Sequence, residues 1–259
     1  MSSKLIRNTS AAFLAALVIG CAGKPAHANG IRFCLDQANP MFSIDQAVAN
    51  AVAAEQNTTA VLVVRNSATD DHDDDSGLSQ QKFFAKLSKS CDLIMGFPVE
   101  AQVENLPDGM AATTPYARTG FVTATTGAPI HSFATMVSAD KIGVVFLTVA
   151  STYFTVQNMA SEHVYESNDE LYGALLNGEV NAALIWQPWL NRQLSGHPQT
   201  LHVARLDMPH ADWNIVALYP QGMQGDATVR MFNAGIASLH AGGKLSDVVH
   251  PYAVPATDR

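Results

Sequence analysis

Apolar runs and helical-period stretches alternate along most of this chain. Residues 31–35 form a short apolar run closed by a turn at 36–40. Ile44, Val48, Ala51 and Val52 then share one helical face, behind a Ser43/Gln46 capping box. Residues 60–64 are dense in β-branched side chains and read as a second strand. A polar loop at 66–80 leads to a predicted helix over 81–88 and a third strand over 92–97. The rhythm restarts at Lys141: strand 142–148, helix 150–159, short strand 163–166, a helix capped by Asn168 and ending at Gly178, then strand 180–186. A strand over 215–218 and a long helix over 227–240, stopped by Gly242-Gly243, complete the pattern. Strand and helix alternating in this way predicts α/β lobes, each a mostly parallel sheet flanked by helices.

The first residues change the picture from fold to location. Lys4 and Arg7 precede an apolar run at 11–20, and Ala26-His27-Ala28 is a small-x-small cleavage pattern. Residues 1–28 therefore read as a signal peptide, with soluble release outside the cytoplasm, in a periplasm. A lipid-modified Cys21 is the alternative. The apolar run is about half the length that spans a bilayer, and no transmembrane segment is expected. Loss of the leader removes three cations, moving the formal charge from −8 to −11. So acidic a chain is a poor partner for nucleic acid. With 47% apolar residues it has enough to form a globular core.

Cys34 and Cys91 remain after the leader. Export favours pairing them, and two buried thiols are the alternative. Register argues against a bridge: Cys34 is late in its predicted strand and Cys91 starts its own. As parallel neighbours they would lie about three rises apart, ~10 Å, beyond the ~7 Å reach of a disulfide.

The tail from Phe232 to Leu239, through Gly243-Lys244-Leu245 to Tyr252-Ala253-Val254-Pro255, resembles the closing segment of family-3 periplasmic solute-binding proteins. Residues 32–42, Cys91 to Gly96, Thr114-Pro115-Tyr116 and Gly178 to Ala183 match that family's blocks in order. The resemblance implies the type II periplasmic-binding fold, two lobes closing on a small molecule. It divides the chain into a first lobe at 29–125, a connection at 126–140, a second lobe at 141–213, and a return to the first lobe at 214–259. Amino-acid receptors of the family carry an Arg after the third-strand Gly and an Asp after the second-lobe strand. Here Phe97-Pro98-Val99 follows Gly96, and Trp186-Gln187 ends the other strand. An unpaired buried charge costs several kcal/mol, so a zwitterion would be poorly held.

The departures are similar to the MoxJ/XoxJ-type proteins associated with quinoprotein methanol dehydrogenases. The matching elements are Cys34 with Asn39-Pro40, Cys91 to Gly96, Thr113 to Arg118, and Ile185-Trp186-Gln187-Pro188. This implies a non-catalytic accessory factor for a periplasmic quinoprotein dehydrogenase; the alternative is the receptor of an ABC importer for a non-zwitterionic solute, with a permease as partner. By either reading Asp36, Asn39, Phe42, Phe97, Tyr116, Arg118, Trp186 and Trp189 are the candidate cleft residues. Ligands of open α/β sheets bind beyond the carboxyl ends of the strands, where Phe97 and Trp186 are expected. For any single aromatic residue the competing role is to seal a core.

Residues 70–75 are the densest charge run. Asp71, Asp73 and Asp75 alternate as calcium ligands do, but that frame puts Ser76 where Gly is needed and Lys82 where a bidentate Glu is needed. A solvated loop is the plainer reading. The nine histidines contain no His-x-x-x-His pair or Cys-His cluster, no nucleophile elbow or phosphate loop is present, and no cofactor is implied.

Overall fold

A computed structural model describes residues 30–69, 80–101, 105–132, 141–152, 161–197, 199–205 and 210–250. The leader, Cys21, the acidic run and the end of the tail lie outside these residues.

β1 (Ile31–Asp36) is the axis of the first lobe. It pairs in parallel with β2 (Ala60–Arg65) on one side and β3 (Leu93–Glu100) on the other. Ile31, Phe33 and Leu35 enter one core while Cys34 enters another, so both faces are covered except at Arg32, which is exposed and paired with Asp92. The first core lies under α1 (Phe42–Glu55), α5 (Ala227–Ala241) and α6 (Lys244–Val249). Its centre is a ring cluster in which Phe232 meets Phe33 at 6.2 Å and Tyr116 at 6.3 Å. The second lies under α2 (Gln80–Leu87) and includes Phe84, Ile94 and Val216.

β10 (Asp212–Pro220) runs antiparallel to β3, to β4 (Met110–Ala112) and to β5 (Ala117–Thr125). β5 serves two sheet portions. Residues 117–120 pair with β10, whereas 121–125 pair with β8 (Ala182–Trp186), and 122–125 also pair with β9 (His202–Arg205). β8 neighbours β6 (Lys141–Val145), which pairs with β7 (Ser161–Tyr165). The path across the sheet is β2-β1-β3-β10-β5-β8-β6-β7. α3 (Asn168–Leu176) and α4 (Gln187–Gly196) cover the far portion through Leu171, Leu175 and Leu190. Where β5 leaves β10, a Cβ on Gly120 would stand 1.8 Å from the Ala211 carbonyl oxygen, so only glycine fits there.

Local chemistry shifts several predicted boundaries. α1 begins at Phe42, so Ser43 lies inside its first turn and no side-chain cap bond forms at Met41. α3 is capped by Ser167, whose hydroxyl accepts the Glu170 N–H, one residue before the expected Asn168. α5 starts after Asp226, which accepts the Thr228 N–H at 2.7 Å.

Cys34 and Cys91 are bonded, with Cα atoms 5.5 Å apart, which corrects the register argument against the bridge. The register itself is close to that expected, since Cys34 faces Ile94. Cys91, however, is not in the strand. Its N–H still donates to Leu87 at the end of α2, and the chain bends at Asp92 before β3 begins. That bend brings Cys91 to Cys34 despite the offset along the strand.

Candidate functional site

The loops after β1 and β2 meet the Gly96–Pro98 stretch of β3 at the carboxyl ends of β1 and β2, where open α/β sheets place their ligands. Gly96 shapes the meeting point. Its φ is +79°, a conformation glycine adopts without penalty, and a Cβ there would lie 2.4 Å from Asp45 Oδ2 and 2.5 Å from Asn39 Nδ2. The ladder between β3 and β10 shifts register beside it. Ile94 before the irregularity and Phe97 and Val99 after it thus enter the same α2-side core. Pro98 consequently faces the opposite way.

Asn39 ties the first loop to this bulge. Its Nδ2 donates to the Gly96 carbonyl at 3.0 Å, and its Oδ1 accepts the Met41 N–H at 2.9 Å. Asp36 Oδ1 accepts the N–H groups of Ala38 and Ser67, both at 3.0 Å. Burial alone would raise the Asp36 pKa, but the bonds from Ser67 and Ala38 and the nearby Arg65 charge outweigh it and hold the carboxylate below its ordinary value. A cavity of about 360 Å³ opens above these loops. Its far wall is Trp186, contributed by the end of β8, and among its lining residues Asp36 is the one ionisable side chain.

Beneath the cavity floor lies a buried carboxylate that the sequence did not mark. Asp45 is 1% exposed and accepts the Tyr116 hydroxyl at 2.5 Å, while the Tyr116 oxygen accepts the Gly96 N–H at 2.8 Å. Burial pushes the Asp45 pKa up to about 7, against the pull of the Tyr116 bond. Burial and the facing Asp45 also raise Tyr116 well above its ordinary value.

Asp36, Asn39 and Trp186 thus share one cavity, and the other five candidate residues lie elsewhere. Tyr116 is fully buried below the floor, and Phe42 packs against the first-lobe core. Phe97 meets Phe84 edge-on at 5.8 Å, turned there by the Gly96 bulge. It borders a second cavity of about 230 Å³ under α2, where Arg65 lies 4.7 Å above the Phe83 ring. Trp189 is 6% exposed and packs on Tyr172 in the second-lobe core, because α4 turns it inward from Trp186. Arg118 is ion-paired with Asp212, which also pairs with Arg205 from β9.

Trp186 is the middle of an aromatic ladder, with Phe121 at 5.3 Å and Trp213 at 6.1 Å, both edge-on. Two of its rings, Phe121 and Trp213, belong to the strands that connect the sheet portions. Phe146 and Leu147, 59% and 84% exposed, follow β6 and leave the sheet at the same end as Trp186 by the β6–β8 register. Leu147 has φ +56°, unusual for a bulky residue. Among the described residues no group of three or more His, Cys, Asp or Glu is placed to hold a metal ion, and no helix is long and apolar enough to cross a membrane. Asp71, Asp73 and Asp75 are outside those residues.

No family model and no curated protein matches the sequence. Solved structures do share the fold. The second substrate-binding domain of a Streptococcus pneumoniae protein assigned to amino acid ABC transport superposes with a TM-score of 0.66 at 16% identity, covering 87% of this chain and all of the other. The second substrate-binding domain of Lactococcus lactis GlnP, in its open conformation, gives 0.63 at 16% identity over 86% of this chain and 94% of that one. An ancestral cationic amino acid solute-binding protein gives 0.64 at 14% identity over 86% and 95%. At such identities the likeness is one of architecture: the chain has the α/β fold of two-domain periplasmic binding proteins, a large mixed sheet flanked by helices.

Proposed function

We propose that this chain is a non-catalytic solute-binding protein exported by the leader at 1–28, serving an ABC importer as receptor for a small, non-zwitterionic solute. One observation carries the reading: a cavity of about 360 Å³ is walled on one side by the loops after β1 and β2 with Gly96 and Pro98 of β3, and on the other by Trp186 of the second sheet portion. Such a space, bounded by two sheet portions that β5 connects, suits a ligand that draws them together. In this reading residues 29–125 and 214–259 form one lobe and 141–213 the other. Asp36, Asn39 and Trp186 contact the solute, and Tyr116 positions the floor. The shared fold with amino acid receptors favours the receptor over the dehydrogenase-accessory role, reversing the order implied by the sequence resemblance.

The test is a thermal-shift screen of the processed protein against a metabolite panel, with small-angle scattering on each hit. A ligand that raises the melting temperature and contracts the particle is expected. Absence of any shift would overturn the receptor role. A second reading, contact with a quinoprotein dehydrogenase, draws support from the exposed pair Phe146 and Leu147 at the end of the sheet that bears Trp186. Specific co-purification of a dehydrogenase, lost in Leu147→Asp, would put it first.

A further inference from the structure

The cavity that holds Asp36 and Trp186 is unusually poor in donors. The Ala38 and Ser67 N–H groups are spent on Asp36, the Met41 N–H on Asn39, and the Gly96 N–H on Tyr116. The Asn39 amide donates to the Gly96 carbonyl, and Pro40 and Pro98 have no N–H to give. Among the described residues no Lys or Arg lines the space. Arg65, whose charge helps keep Asp36 ionised, lies over Phe83 in an adjoining cavity that Asp36 also borders, and Arg118 is paired with Asp212. The Ser67 side chain also bonds Asp36, so what remains is the neutral Trp186 indole and a carboxylate. The two backbone donors to Asp36 both reach Oδ1, so Oδ2 takes no backbone bond from them.

An anion entering this space would lose its hydration and find no charged donor among the described residues to replace it. A carboxylate-bearing zwitterion meets the same obstacle at one end. A cation meets an ionised acceptor and the face of an indole, which are the two groups that hold organic ammonium ions. The volume is at the small end for ligand sites, enough for a compact molecule.

We propose that the cavity binds an organic monocation without a carboxylate, an amine or quaternary ammonium compound, with Asp36 as counter-ion and Trp186 as the wall for its apolar part. This deepens the receptor reading and rests on it.

The experiment is isothermal titration calorimetry of the processed protein with phenethylamine and choline as cationic probes, and L-phenylalanine and 2-phenylethanol as the zwitterionic and neutral counterparts. At least one cation is expected to bind saturably and ten-fold or more tighter than both counterparts. Asp36→Asn should reduce that affinity at least ten-fold, as should Trp186→Ala, which removes none of the Asp36 loop bonds and so reports even if Asp36→Asn disturbs folding. Equal or tighter binding of phenylalanine or phenylethanol would overturn the cation assignment and leave the receptor role standing. No saturable binding of either cation would also overturn it, with the metabolite screen deciding the receptor role separately.

Discussion

Titration of Asp45 should make this protein more stable as the solution is acidified from pH 8 to pH 5, against the usual direction for a carboxylate. Its pKa rises from 3.8 in the unfolded chain to about 7 in the fold because burial penalises the charged form. For a carboxyl group raised in this way, the stabilising contribution is fully present below about 3.8 and is lost as the pH rises through about 7. Each pH unit between those limits is worth about 1.4 kcal/mol, so the gain from pH 8 to pH 5 is on the order of 2–3 kcal/mol. Asp36 and Glu55, whose values are lowered, lose their contributions only as the pH falls through those lowered values, below this window. Asp45→Asn keeps an oxygen for the Tyr116 hydroxyl and removes the titration. Urea unfolding followed by circular dichroism at pH 5, 6, 7 and 8 should show wild type gaining on the order of 2–3 kcal/mol relative to the variant on acidification. Parallel pH profiles for the two proteins, or a wild type that loses ground to the variant on acidification, would refute the reasoning.

Replacing Cys34 and Cys91 by Ala opens a loop with a sequence separation of 57, and chain entropy puts the loss at up to about 4 kcal/mol, readable as a lower urea midpoint. Gly96→Ala places a methyl group against Asp45 and Asn39 at a positive φ, so a loss of at least about 2 kcal/mol is expected, together with weaker ligand binding in calorimetry. Trp186→Ala should weaken binding while leaving the melting temperature within a few degrees, since the ring is only partly buried at the cavity mouth; a gross loss of stability would make it a core residue instead.

The strands of the first lobe were legible because β-branched and apolar residues crowd into short runs, as in 60–64 and, apart from Arg32, in 31–35. Asp36, Asn39 and Trp186 were legible as strand-end residues, since topology alone sends those ends to a common place. Phe97 was misjudged because its direction depends on one glycine bulge, which period-two alternation does not anticipate. Tyr116 and Asp45 are 71 residues apart, and nothing in the first turn of α1 distinguishes a buried acid from a solvated one. Ser43 matched a capping box, yet Asn39, in the turn before the helix, accepts the Met41 N–H. The Cys34–Cys91 pairing that export favours is present, and the strand register left it open because the end of α2 holds Cys91 out of β3. β5 was only partly visible, since its partners β8, β9 and β10 all lie far along the chain.

Native mass spectrometry of the processed protein after dialysis against a cell extract tests the central claim most directly, with Trp186→Ala as reference. The account predicts one small amine-bearing molecule without a carboxylate, retained near one per chain and lost in the variant. Retention of an amino acid, or identical retention by both proteins, would contradict it.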